Sequence, residues 1–228
     1  MTGEDAMGRI ALAVGGIVLI GAGIAIATEW NWHWSTKAQV DRELAQRIDT
    51  VQLDTGSGDV RILAEDVATT TVHQRFSYTG GKPGDAFTVE GGKLVLHDCG
   101  NRCDVDYEVV VPRGVAVTGK VTSGETTVRG AAAADVTSTS GNVLVTDATG
   151  PVKVRATSGD VTVAMSMAQN VKVDVTSGNV MVTVPRDRYR VRTGTSSGTQ
   201  RVDIATDPAG PYELDLNSTS GDVTVSPA

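Results

Sequence analysis

The chain has 228 residues, with 20 Lys and Arg against 27 Asp and Glu and a net charge of −7. A protein that grips phosphate backbones needs a basic footprint, so this balance excludes nucleic-acid binding as a reading. Aromatic residues make up only 4% of the chain, so any core must be aliphatic, and the length suits one or two domains.

Residues 1–9 read as a short tail, "MTGEDAMGR". Ile10 to Ala27 follow without a charge. As a helix those residues would span about 27 Å, enough for a bilayer core, and we place a transmembrane helix over 10–29. Trp30, Trp32 and Trp34 come next, at the level where Trp prefers the membrane interface. Ala25-Ile26-Ala27 also fits a small-x-small cleavage site. Glu4 and Asp5 in the leading segment argue for a retained anchor instead. Ala11/Gly15 and Gly21/Ala25 have the small-xxx-small spacing that lets helices pair. Lys37, Arg42 and Arg47 follow the span, which read literally would put the bulk of the chain in the cytoplasm, but long domains cross largely regardless of charge. Residues 30–48 are a juxtamembrane linker, and Val40, Leu44 and Ile48 leave helix and strand both open there.

From residue 49 to 228 one phrase recurs: Ser-Gly-(Asp/Asn)-Val-x-Val, as in "ATSGDVTV" and "VTSGNVMV". Its glycines are Gly58, Gly124, Gly141, Gly159, Gly178, Gly198 and Gly221, and from Gly124 the spacings are 17, 18, 19, 20 and 23 residues. A drifting period near 18 predicts stacked β units with variable loops. Around Gly159, Val152, Val154, Ala156 and Ser158 alternate with polar residues, and Val161 and Val163 continue beyond it. That is period-two alternation on both sides of a turn. Each unit therefore reads as strand, corner and strand. Glycine supplies the backbone angles of the corner, and the Asp, Glu or Asn after it bonds its own turn. The serine before glycine has inward parity. Gly92 reads as a worn corner between Gly58 and Gly124. The expected fold is all-β, a β-solenoid of about 18-residue repeats behind one transmembrane helix. A Greek-key sandwich is the competing architecture. The Gly198 unit is more polar inside (Thr193, Thr195, Gln200), and the last unit, ending "VTVSPA", is expected at an open end.

Cys99 and Cys103 are the only cysteines. In an exported protein they predict a small disulfide loop, because two thiols with no second pair cannot fill a zinc site. That places the repeat domain outside the membrane. "VPRG" (Val111 to Gly114), the Cys pair just before "VDYEVVVP" and the serial Ser-Gly-Asp-Val units together resemble the bacterial "putative adhesin" domain, a family of unknown function frequent in actinobacterial membrane proteins. The resemblance covers residues 48–228. It implies an extracytoplasmic β-solenoid behind a single anchor and an envelope-linked role, and it defines no functional residues.

Catalytic signatures are missing. There is no Gly-x-Ser-x-Gly elbow, no His-Glu-x-x-His and no phosphate loop. Three histidines leave little for a Ser/His/Asp site. We expect no enzyme, no cofactor and no metal. The Asp and Asn row after the glycines invites calcium, but solvated turn capping is the preferred reading. Two outward rows could present a repetitive ligand surface. The row two before each glycine is Thr122, Thr139, Thr157, Thr176, Ser196 and Thr219. The row four before is Lys120, Thr137, Arg155, Asp174, Gly194 and Asn217, whose charges exclude an ice-binding face. They also fall on separate units, unlike the clustered site of a polysaccharide-cleaving β-helix. The expected role is a non-enzymatic adhesin or scaffold module of the cell envelope. Its partners would be the membrane and a wall polymer or another envelope protein. The alternative is an accessory to envelope-stress signalling that works through a membrane partner.

Overall fold

The computed structural model describes residues 35–228. The expected span over 10–29, its small-residue spacing and the Trp cluster lie outside the described residues, and within these no helix is long and apolar enough to cross a membrane. The order along the chain is β1 (Thr36–Leu44), β2 (Thr50–Thr55), β3 (Val60–Glu65), β4 (Thr70–Tyr78), β5 (Phe87–Glu90), β6 (Lys93–His97), β7 (Cys103–Pro112), β8 (Ala116–Ser123), β9 (Thr126–Arg129) and β10 (Ala133–Ser140). It continues with β11 (Val143–Thr146), β12 (Val152–Ser158), β13 (Val161–Ala164), β14 (Val171–Ser177), β15 (Val180–Val184), β16 (Tyr189–Ser197), β17 (Gln200–Val202), β18 (Tyr212–Ser220) and β19 (Val223–Pro227). The stretch 36–44, open between helix and strand in the sequence, is strand, so sheet structure starts ahead of residue 49.

Two sheets face each other. The first runs β1-β4-β7-β3-β9-β11-β13-β15-β19-β17 and the second β16-β18-β14-β12-β10-β8-β2-β6-β5. From β8 onward every pairing is parallel and in register, Val154 beside Val136 and Val173, for example. That is the all-β solenoid. Each coil places one strand in each sheet, and alternation turns one face of both strands inward. Val152, Val154, Val161 and Val163 of one coil are all buried, as are Val171, Val173, Val180 and Val182 of the next. Burying each such valine is worth about 1.5–3 kcal/mol relative to exposure, and only the coils above and below provide that burial.

Three expectations are overturned. First, the last unit is not at the open end. β18 lies between β14 and β16, and β19 between β15 and β17. The chain builds the Gly198 unit first, then returns through residues 203–211 to insert the Gly221 unit beneath it. The order follows from burial. Leu214, Leu216, Val223 and Val225 are apolar and become fully buried on the Gly178 coil, whereas Thr193, Thr195 and Gln200 stay accessible at the end. Thr193 Oγ1 donates to Gln200 Oε1 at 2.8 Å, which closes the coil end with a polar contact.

Second, Gly92 is not a corner. Gly91 and Gly92, both with positive φ, close an antiparallel hairpin between β5 and β6 within one sheet. The coil beyond Gly58 is made instead by β6, the loop from 98 to 102 and β7, since β6 pairs with β2 and β7 with β3 in parallel. Gly58 and Gly124 are therefore spatial neighbours although 66 residues separate them.

Third, the serines before the glycines are exposed from Ser123 onward. The inward hydroxyls sit three before glycine: Ser138 and Ser218 are buried, and Ser218 Oγ donates to the Gly178 carbonyl at 2.8 Å.

At the N-terminal end the first sheet is extended by β7, β4 and β1, paired antiparallel. A loop from Thr79 to Ala86 folds back here. Gln74, fully buried, accepts the Ala86 N–H at 2.8 Å. The Tyr107 hydroxyl is shared between the Ala86 carbonyl and the His97 carbonyl. Burial, the first cause, pushes the Tyr107 phenol well up, so it stays a donor at physiological pH.

Candidate functional site

The seven repeat glycines form a single spine. A Cβ on Gly141 would lie 2.0 Å from the Gly124 carbonyl oxygen, and one on Gly124 would lie 2.1 Å from that of Gly58. The same close approach carries the spine through Gly159, Gly178 and Gly221 to Gly198. All seven have φ between +93° and +152°, a region open to glycine and strained for other residues. Both the angle and the approach demand glycine at each of these seven corners.

Beside the spine runs a ladder of side-chain acceptors. Asp106 Oδ1 accepts the Asp59 N–H at 2.9 Å, and Asp59 Oδ1 accepts the Glu125 N–H at 2.9 Å. Asn142, Asp160 and Asn179 in turn accept from Asp160, Asn179 and Asp222 at 2.8–2.9 Å. Asp222 accepts from Thr199 at 2.8 Å. The sequence assigned these residues to their own turns; the structure instead bonds each to the backbone of the next coil. Glu125 is the step without such a bond among the described residues, its carboxylate sitting one methylene farther out. One oxygen of each Asp and Asn in this ladder is thus engaged as an acceptor, and no group of three or more His, Cys, Asp or Glu suited to a metal occurs among the described residues.

The disulfide closes the spine at the N-terminal end. Cys99 and Cys103 are joined, with Cα atoms 5.6 Å apart. The loop lies against the Gly58 corner: Asp98 Oδ1 accepts the Gly56 N–H at 2.5 Å, and Ser57 Oγ donates to Asp104 at 2.6 Å. Where the other corners use Ser-Gly, this coil uses a disulfide-closed loop.

The outward rows of the second sheet make a shallow open groove of ≈ 390 Å³ across β10, β12, β14 and β18. Thr157, Thr176 and Thr219 form one wall, and Thr137, Arg155, Asp174 and Asn217 the other. The register puts Asp174 between Arg155 and Asn217. Asn217 Nδ2 donates to Asp174 Oδ1 at 3.3 Å and Asp215 Oδ1 at 3.1 Å. Arg155 makes no ion pair among the described residues. Below the groove Lys172 pairs with Asp215; that bond, then the nearby Asp174, raises the Lys172 ammonium, and Lys172 in return holds the Asp215 carboxyl below the usual range. The sequence contained these residues but not their order. With the Gly221 coil inserted, Asn217 moves next to Asp174, and a set read as scattered over separate units becomes contiguous.

The profile of the Toastrack DUF4097 family matches residues 44–226. The chain belongs to the Toastrack DUF4097 family. Among solved structures, this Toastrack chain is similar to a "putative cell adhesion protein" from Clostridium sporogenes, with a TM-score of 0.52 and 10% identity over 83% of this chain and 100% of the other. A "putative adhesin" from Bacteroides fragilis aligns with a TM-score of 0.41 and 12% identity, over 83% of this chain and 97% of that one. At such identities the likeness is one of fold. The comparison with curated proteins finds no match. The Toastrack match covers the residues from which the family resemblance was read: "VPRG", the Cys pair and the repeated corners.

Proposed function

We propose that this Toastrack chain is a membrane-anchored, extracytoplasmic, non-enzymatic binding module of the cell envelope, with the second-sheet groove as its contact surface and a wall polymer as its partner. The observation that carries this reading is the groove itself. Hydroxyls repeat along it from coil to coil, spaced about 4.8 Å by the parallel ladders, beside Arg155, Asp174 and Asn217. Repeating hydrogen-bonding groups on a rigid face suit a linear, hydroxyl- and amide-bearing polymer lying along the stack. The apolar stretch 10–27 and the Cys99–Cys103 bond support an exported, anchored domain. The adhesin labels of its fold neighbours support a binding role over catalysis.

Placement is tested by labelling. A Thr162→Cys chain, expressed in intact cells, is treated with a membrane-impermeant maleimide. Thr162 lies on the outward face of β13, away from the groove. Labelling of intact cells is expected; labelling only after lysis would place the domain inside and refute the proposal.

A further inference from the structure

The four sheet edges differ. β5 has four residues and β17 three. β16 has nine, but Thr206 bridges to it at Tyr189 and the Asp207 N–H donates to the Tyr189 carbonyl at 2.8 Å. β16 also carries Gly194, which weakens a strand interior. β1 has nine residues and no covering strand on its outer side among the described residues.

Its backbone groups alternate in direction along the strand. The Thr79 N–H donates to the Arg102 carbonyl at 3.0 Å. In an antiparallel pair, successive residues turn their N–H and C=O to opposite sides. The odd residues of β4 therefore face β7 and the even ones face β1. Through the register Gln74 opposite Val40, the even residues of β1 face β4, and Lys37, Gln39, Asp41 and Glu43 present their backbone groups outward.

That edge is complementary to itself. We infer that β1 pairs antiparallel with β1 of a second copy of this chain, joining the two first sheets into one across a two-fold axis. With Val40 opposite the partner's Val40, all nine residues pair. Lys37 then stands opposite the partner's Glu43, and Gln39 opposite the partner's Asp41. Those two positions are also the hydrogen-bonded ones, so backbone and side chains select the same register. Sliding two residues one way sets Asp41 against the partner's Asp41, and sliding the other way drops Leu44 from the pairing. The contact is isologous, as a closed dimer requires. It also covers apolar surface. Ala38, Val40 and Leu44, with Phe87 and Val89 of β5, pack on the core from one side and are only partly buried.

The test uses the full chain purified in mild detergent, with mass read by light scattering over a dilution series. A dimer is expected, weakened at least about tenfold by Lys37→Glu or by Glu43→Lys, since each turns both symmetric pairs into like charges. The double swap Lys37→Glu/Glu43→Lys restores it, which a merely misfolded variant would not do. Val40→Cys is expected to yield a disulfide-linked dimer on mild oxidation, because directly opposed residues in a non-hydrogen-bonded pair lie about 4.5 Å apart. Thr162→Cys is not. A monomer at all concentrations overturns the inference. So does a dimer indifferent to the charge reversals, or one lost on Gly15→Leu/Gly21→Leu but not on Lys37→Glu, which would assign it to the apolar N-terminal segment.

Discussion

Asp222 accepts the backbone N–H of Thr199, and Thr199 has no carboxylate or amide with which to pass the bond on. Six corners carry Asp, Asn or Glu after the glycine, and the Gly198 corner carries Thr. It is also the last coil of the stack among the described residues, touched at its edge only by the bridge from Thr206. The ladder therefore stops where the solenoid stops, and the terminal coil is marked in the sequence by the residue that breaks the motif.

That bond makes stability depend on pH. The Thr199 backbone N–H, and then its hydroxyl, hold the Asp222 carboxyl below the usual range. A carboxyl depressed in the folded state adds stability above its unfolded value, about 3.9, and loses it as pH falls through the folded value. Asp222→Asn keeps an Oδ1 in place, as Asn142 and Asn179 do, and removes the titration. Melting curves between neutral pH and pH 2 are expected to show a steeper acid loss for the wild-type chain than for Asp222→Asn. Parallel curves would show that this bond is not formed.

The ladder also predicts opposite effects at two steps. Asn179→Ala removes the acceptor for the Asp222 N–H and is expected to destabilise by about 0.5–1.5 kcal/mol. Glu125→Asn shortens the one side chain that misses its step and is expected to stabilise by about 0.5–1 kcal/mol by accepting the Asn142 N–H. Urea denaturation of both variants measures the two signs.

The glycine spine separates angle from contact. Gly141→Ala meets the Gly124 carbonyl as well as an unfavourable φ, and is expected to cost upwards of about 3 kcal/mol. Gly114 has φ +91° with open space around it, so Gly114→Ala is expected to cost only about 1 kcal/mol. Equal losses would contradict the close stacking of the corners.

From β3 to β19 one inward row is uniform but for a single atom. Val60, Thr126, Val143, Val161, Val180 and Val223 follow one another across the first sheet. The Thr126 hydroxyl is buried with no partner. Thr126→Val replaces it with a methyl of the same shape and is expected to stabilise by about 1–3 kcal/mol, the cost of an unsatisfied buried polar group. A thermal melt reads the sign directly.

The repeats were legible because they are local: alternation names the inward valines, and the glycine names the corner. What the sequence hid was long-range. Parity around Gly92 is the same for a corner and for a hairpin, and only pairing partners tell them apart. The serines before the glycines depart from inward parity because alternation breaks at the corner itself. In β12, Ala156 is buried, then Thr157 and Ser158 are both exposed. The insertion of the last coil left a trace in Gln200, Thr193 and Thr195, whose polarity marks a coil end. The groove depended on that insertion, because only then does Asn217 meet Asp174. Gln74, buried and holding the 79–86 loop, gave no periodic signal at all.

The most direct test of the account is sedimentation of the purified full chain, in mild detergent, with insoluble bacterial cell wall at low and high salt. Salt-resistant binding by the wild-type chain is expected, with Arg155→Glu/Thr157→Glu reducing the bound fraction at least about fivefold and Thr162→Glu on the opposite sheet leaving it unchanged. No binding, or equal loss from both faces, would contradict a wall-binding groove.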